Sequence, residues 1–357
     1  MNPTLSTRRK QYEKDFPLHT HVPTENPTFD LNDGFRDRYV KRDESVDEKL
    51  DQILKWIISN RTDFTLDVDF VTLRGHLTKL HTTPYEDKEG WMFAVTKFRG
   101  TIYINKVETN ETRRKHAKIV EQCSKVIYRG FKFEQYVCAD NIEGSPDPSG
   151  VVNTNEAYYT VMRTQFAKHK LLFSGEVDCR VREPKDPPSC YVELKTSAEI
   201  CTPKQRTNFH KFKLLKWWAQ SFMPGVPQVV AGFRDRDGIV VKVETFQTAE
   251  MSQLAILESD DEIEESSQTI VDGAGVSPSI LAQSGTNNYT VLDQSTANAI
   301  KELPSLLLQI KNTLAAITYN STSTPCPSVS SDDGHIVTQT QMIALGGSDV
   351  QVEKKTL

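Results

Sequence analysis

Four carboxylates and one lysine stand out because acidic side chains are costly inside apolar, strand-like segments. In residues 173–179 (FSGEVDC), Glu176 and Asp178 are two apart, a spacing that projects both to one face of a strand. In 190–197 (CYVELKTS), Glu193 and Lys195 share a face while Val192 and Leu194 take the other. The intervening stretch 182–189 (REPKDPPS) has the composition of a turn between neighbouring strands. In 130–137 (GFKFEQYV), alternation predicts a strand with Phe131 and Phe133 on one side, Lys132 and Glu134 on the other. If these three strands share a sheet, Glu134, Glu176, Asp178 and Glu193 converge on one patch.

Clustered carboxylates raise one another's pKa unless a cation neutralises them. Mg²⁺ or Mn²⁺ suits such oxygen donors. Two ions about 3.5–4 Å apart activate water and stabilise the leaving oxygen of an in-line phosphoryl displacement. Lys195, on the same face, would orient the nucleophile or offset charge on phosphorus. The order Asp178, fourteen residues, Glu193-x-Lys195 is the pattern of the PD-(D/E)xK nuclease superfamily. Other E-x-K tripeptides begin at Glu86, Glu183 and Glu353, in polar loop or tail contexts; only the one at 193 is strand-embedded beside an upstream acidic pair. The same carboxylates could instead cap turns or pair with Lys and Arg on a solvated sheet face, and spacing alone leaves both readings open.

The elements that must position these groups are legible in outline. Residues 46–58 (VDEKLDQILKWII) carry Leu50, Ile53, Leu54 and Ile57 at helical spacing. Strands are predicted at 69–73, 92–96, 101–107, 131–137, 158–163, 171–179, 190–196 and 226–233. A helix is predicted over 203–222, with Phe209, Phe212, Leu215, Trp218 and Phe222 on its apolar stripe. It also carries Lys204, Arg206, Lys211, Lys213 and Lys216, which either attract phosphates or form a solvated basic face.

Composition divides the 357 residues unevenly. The net charge is −5, yet from 251 onward 13 acidic residues face 4 lysines and no arginine, so the first 250 residues are net basic. Only Tyr289 and Tyr319 of the aromatic residues lie beyond 250. The reading is a poorly ordered arm over 1–30, a folded domain over 31–250, and an acidic, low-complexity, largely disordered tail over 251–357. Within the tail, 297–317 could form a short helix broken near Pro304. The opening residues are polar and basic, without the apolar core of a secretory leader. No apolar run approaches the ~20 residues of a membrane span, so no membrane role is expected. Cysteines 123, 138, 179, 190, 201 and 326 show no metal-ligand spacing, and the expectation is reduced thiols with no structural zinc.

Five stretches, in order, resemble the decapping exoribonuclease (DXO) family: FVTLRGHLTKL (70–80), GFKFEQY (130–136), GEVDC (175–179), YVELKT (191–196) and KLLKWWAQSFMPGVPQVVAGFRD (213–235). The resemblance covers roughly residues 20–250. It implies an α/β nuclease of the PD-(D/E)xK class with two mixed β-sheets and flanking helices. It also implies hydrolysis at RNA 5′ ends that are triphosphorylated, incompletely capped or NAD-capped, leaving 5′-monophosphate RNA, with 5′→3′ exoribonuclease activity in many members. Carried over by motif, Glu134, Glu176, Asp178 and Glu193 would be metal ligands, with the Leu194 carbonyl completing a site. Lys195 and Gln220 would contact the scissile phosphate and attacking water, and Arg74 would bind substrate; without the motif, an arginine placed in a strand reads as an ion-pair former.

Beyond Met251 the chain departs from the family, whose members continue into a Trp- and Cys-containing segment and a long apolar helix. The resemblance implies a nuclear location. It also offers an alternative: a non-catalytic partner that binds and stabilises another 5′→3′ exoribonuclease. A DNA endonuclease on the same core is disfavoured by the flanking motifs.

Overall fold

The structure is a computed structural model. It describes residues 5–8, 18–23, 27–43, 49–62, 65–85, 91–108, 110–251, 308, 339–346 and 349–353.

Two mixed sheets dominate. The first runs in the order Leu5–Arg8 (β1), Tyr158–Phe166 (β10), His169–Glu176 (β11), Phe70–Leu73 (β5), Thr101–Lys106 (β7), Trp91–Phe98 (β6), Gln339–Gly346 (β16) and Asp349–Glu353 (β17). The second runs Phe29–Asp30 (β3), Ile239–Gln247 (β15), Gln228–Arg234 (β14), Tyr191–Ala198 (β13), Cys179–Arg180 (β12), Leu18–Thr20 (β2) and Cys138–Ala139 (β8). Tyr39–Val40 (β4) and Val152–Asn153 (β9) form a small parallel pair. The helices are Asp51–Ser59 (α1), Arg74–Thr82 (α2), Asn110–Gln122 (α3), Ser124–Val137 (α4), Pro203–Asn208 (α5) and Leu215–Phe222 (α6).

The core follows the sheets. Phe70, Leu77, Phe93, Ile104, Leu171 and Phe173 pack on one face of the first sheet, while α1 covers the opposite side through Ile53 and Trp56. In the second sheet, β13 and β14 are parallel, with Glu193 opposite Val229. Parallel neighbours need a crossover, and α5, a π-helical turn at Phe209–Leu214, and α6 supply it as one continuous helical segment. Its start is fixed by a capping box: Thr202 Oγ1 accepts from Gln205 N, and Gln205 Oε1 accepts from Thr202 N. Pro203 sits where its missing N–H costs nothing.

Three expectations are corrected. Residues 131–137 are not a strand but the last two turns of α4. The F-K-F-E alternation mimics a period of two, yet Tyr128, Lys132, Phe133 and Val137, which α4 buries, recur at helical steps. Arg74 does not lie in a strand; it opens α2 directly after β5. Nor do Glu176 and Asp178 share a strand. The first is the last residue of β11, the second precedes β12, and the chain passes from one sheet to the other between them. The 182–189 turn does join two neighbouring antiparallel strands, β12 and β13.

At the N-terminus, β2 and β3 place parts of the expected arm within the second sheet. Toward the C-terminus, β16 pairs with β6 and extends the first sheet. Apart from Leu308, the helix predicted over 297–317 lies outside the described residues. Among the described residues no helix is long and apolar enough to cross a membrane.

Candidate active site

The site forms where the chain steps between sheets. Glu193 sits in the middle of β13 and is 1% exposed. A buried carboxylate must be paired or hydrogen-bonded, and three donors meet this one. Arg74 Nη1 lies 2.8 Å from its Oε2, and Lys195 Nζ and Gln220 Nε2 lie 2.5 and 2.7 Å from its Oε1. Each donor comes from a different element: α2, β13 and α6. Asp178 is held from the backbone, its Oδ2 accepting from Leu194 N at 2.7 Å. The Leu194 side chain itself packs in the core of the second sheet.

Electrostatics show how closely these groups crowd. Burial pushes the Asp178 carboxyl up, the Glu193 charge pushes it further, and Lys195 only partly offsets them, leaving it at about 7. For Glu193, burial acts upward but Arg74 and Lys195 outweigh it and hold the group below its ordinary value. Lys195 is raised: burial pulls it down, while Glu193 and Asp178 more than compensate. Arg74 feels burial first, then the opposing charges of Glu193, Asp178 and Glu176, and is also raised. Glu193 and Asp178 therefore act on both cations, Arg74 and Lys195, and Glu176 acts on Arg74.

Glu134 lies on α4, which packs against β13. It lines a cavity of about 320 Å³ together with Leu18, Phe131, Cys138 and Asp140. Its charge, like that of Asp178, adds to the burial and the Cys138 contact that hold the Cys179 thiol well above its ordinary value. Helix α4 lies close enough to bring Glu134 here because β14 has a glycine beneath it: a Cβ on Gly232 would meet the Phe133 ring at 2.6 Å.

The donor set has the chemistry of a divalent-cation site, with carboxylates in excess of the cations among them and Asp178 held up by burial and by the Glu193 charge. Among the described residues, no three His, Cys, Asp or Glu side chains are already drawn around a point an ion could fill. The hydrogen bonds show why: both Glu193 oxygens are taken by Arg74, Lys195 and Gln220, and one Asp178 oxygen by the backbone.

Three supporting residues gave no sequence signal of a role. A Cβ on Gly175 would come within 2.9 Å of Arg74 Cβ, so only glycine leaves room for the arginine's stem beside β11. His81, on α2, packs against Trp218 and Phe222 of α6 with ring centroids 5.0 and 6.0 Å away, joining the helices that carry Arg74 and Gln220. Lys132 is fully buried and donates to Asp33 Oδ2 and Pro148 O, tying α4 to two loops. A lysine so placed reads in sequence as a solvated position.

Two mixed sheets, an acidic residue at their crossing, and a buried Glu-x-Lys on the adjoining strand define the class: a PD-(D/E)xK nuclease core. The chain belongs to the family of RAI1-like PD-(D/E)XK nucleases, whose model matches residues 5–271. It is 53% identical over 232 residues to the decapping and exoribonuclease protein of Mus musculus, across 63% of this chain and 58% of that one. It is 37% identical over 244 residues to the decapping nuclease RAI1 of Neurospora crassa, across 62% of this chain and 57% of the relative. The chain thus spans less than two thirds of the length of these relatives. In fold it is similar to the Rai1 crystal structure from Scheffersomyces stipitis, with TM-score 0.69 and 22% identity over 98% of this chain and 89% of that one. It is equally similar, at TM-score 0.69 and 22% identity over 99% and 91% of the two chains, to Candida albicans Rai1 in complex with pU5-Mn²⁺.

Proposed function

We propose that the chain is a divalent-metal-dependent RNA 5′-end hydrolase. It would remove incomplete, triphosphate or NAD-type metabolite caps, leave 5′-monophosphate RNA, and continue as a 5′→3′ exoribonuclease. The observation that carries this reading is the Glu193 cluster: a buried carboxylate gripped by Arg74, Lys195 and Gln220, with the Asp178 carboxyl held beside it by the Leu194 N–H. The names of the relatives, decapping nuclease and decapping exoribonuclease, support the choice of substrate.

In this reading Glu134, Glu176, Asp178 and Glu193, with the Leu194 carbonyl, hold Mg²⁺ or Mn²⁺, two ions at full occupancy. When bound, such ions supply Lewis acidity and lower the pKa of an attacking water. As a ligand, Glu193 would give up part of its hydrogen bonding to Arg74, Lys195 and Gln220. The freed Lys195 ammonium would offset charge developing on the phosphoryl group. The freed Gln220 amide orients the attacking water. Arg74 keeps Glu193 in place through one N–H, and its remaining donors suit a substrate phosphate oxygen. By the family's habit, such an enzyme works in the nucleus.

The test is cleavage of 5′-labelled RNAs bearing a monophosphate, a triphosphate, a guanosine cap or an NAD cap, with Mn²⁺ or Mg²⁺, beside single-stranded DNA. Metal-dependent release of a 5′ product from RNA, lost in Glu193→Ala, supports the hydrolase and ranks its substrates. A folded chain inert on all of them overturns it and favours the binding partner of another exoribonuclease. Equal cleavage of the DNA would overturn the RNA assignment.

A further inference from the structure

The helical segment that delivers Gln220 to the site extends outward, and its outer part is unlike the rest of the surface. Residues 203–222 contain five Lys or Arg and no Asp or Glu. Lys204, Arg206, Lys211, Lys213 and Lys216 are all exposed. Among them Phe212 stands 52% exposed, although its neighbours Phe209 and Leu214 are buried in the core formed with Trp217 and Phe233. The π-helical turn at Phe209–Leu214 is where this happens: Lys211, Phe212 and Lys213 all face outward in succession. Such turns inside regular helices are frequent at functional sites. Lys211 Nζ lies 5.7 Å from the Phe212 ring centroid, and Lys213 Nζ donates to Ser197 Oγ on β13.

An exposed aromatic ring among cations, with no acid on its helical segment, has the chemistry that single-stranded nucleic acid requires: a face for a base and charges for the phosphates beside it. Phe212 precedes Gln220 by eight residues, on the order of 12 Å of helix axis. We propose that Phe212, with Lys204, Arg206 and Lys211, forms a stacking platform for single-stranded RNA downstream of the nucleotide held at the Glu193 site. The platform rests on the nuclease reading but lies outside the carboxylate cluster. It serves length and grip rather than the chemical step, so short substrates do not use it.

The experiment measures binding in the presence of EDTA, so that no RNA is cleaved, of the full chain to a 5′-monophosphate oligouridine dodecamer and to the matching dinucleotide. Phe212→Ala weakens dodecamer binding about tenfold, Phe212→Trp restores it, and neither alters dinucleotide binding. The triple variant Lys204→Ala, Arg206→Ala, Lys211→Ala lowers the salt dependence of dodecamer binding by roughly two ion equivalents. Unchanged dodecamer binding in both variants overturns the platform, as does an equal loss on both RNAs. Tighter RNA binding in the triple variant overturns it too, and assigns the face to the chain's own acidic run at 258–265. In parallel, cleavage of the dinucleotide with Mn²⁺ reports on the nuclease reading alone: wild type that cleaves it while Phe212→Ala binds the dodecamer normally removes the platform and leaves the hydrolase standing.

Discussion

Arg74 Nη1 lies 2.8 Å from Glu193 Oε2, and this ion pair fastens the first sheet to the second. Arg74 follows the last residue of β5 in one sheet; Glu193 is central in β13 of the other. The two residues are 119 apart in sequence, and both side chains are almost wholly removed from water. Without Arg74 the buried Glu193 charge keeps only Lys195 and Gln220 as partners. Arg74→Met should therefore lower the unfolding free energy by about 1–3 kcal/mol and reduce RNA cleavage at least tenfold. The double variant Arg74→Met, Glu193→Gln should regain most of the stability and none of the activity. Urea unfolding followed by circular dichroism reads the first effect; a single variant as stable as wild type would show the pair to be incidental.

Gly175 should matter only through Arg74. An alanine there pushes on the arginine's Cβ and Cδ, 2.9 and 3.0 Å from the added carbon, and moves the guanidinium off Glu193. Gly175→Ala is expected to cut cleavage nearly as much as removing the arginine does, yet to have no further effect in an Arg74→Ala background. Additive losses in that double-mutant cycle would mean that the glycine acts elsewhere.

Divalent ions should stabilise the fold, since they bind the native carboxylates and not the unfolded chain. At a hundredfold excess over its dissociation constant, Mn²⁺ should add about 2.7 kcal/mol. Asp178→Asn gives a paired signature. Without metal the variant should be more stable than wild type, because the buried carboxyl next to Glu193 and Glu176 loses its charge. With Mn²⁺ it should gain little. A thermal-melting series with and without Mn²⁺ checks both halves, and an undiminished metal shift in the variant would remove Asp178 from the ligand set.

His81 sets an acid limit on stability. Burial holds its ring neutral down to about 4, against 6.5 in the unfolded chain. Between these values the unfolded state carries a proton that the native state does not. Stability therefore falls as pH drops from 6.5 toward 4, by at most about 1.4 kcal/mol per pH unit, and the histidine adds no pH dependence above that window. His81→Phe, which suits neighbours Phe166, Trp218 and Phe222, should flatten that part of the profile. Denaturant midpoints of both proteins from pH 4 to 7 decide it: parallel curves would count against the histidine.

The sequence alone singled out the candidate residues and much of the frame around them. Carboxylates in segments such as FSGEVDC and CYVELKTS conflict with local hydrophobicity, and that conflict is visible without a fold. Strands β5, β7, β10, β13 and β14 and the 203–222 crossover were legible because β-branched runs and a 3.6-residue stripe are local signals. Glu134 was expected on a strand and lies on a helix, since a window opening at Phe131 shows alternation and hides Tyr128 one turn earlier. Only the tertiary structure decided that Glu176 and Asp178 straddle the step between two sheets, and that Arg74, Lys195 and Gln220 all close on Glu193. It also decided that a lysine could be fully buried against Asp33, and that a phenylalanine of the crossover's apolar stripe would face outward. Pairing between strands and the packing of helices across sheets join residues more than a hundred positions apart, and no spacing along the chain encodes which of them will meet.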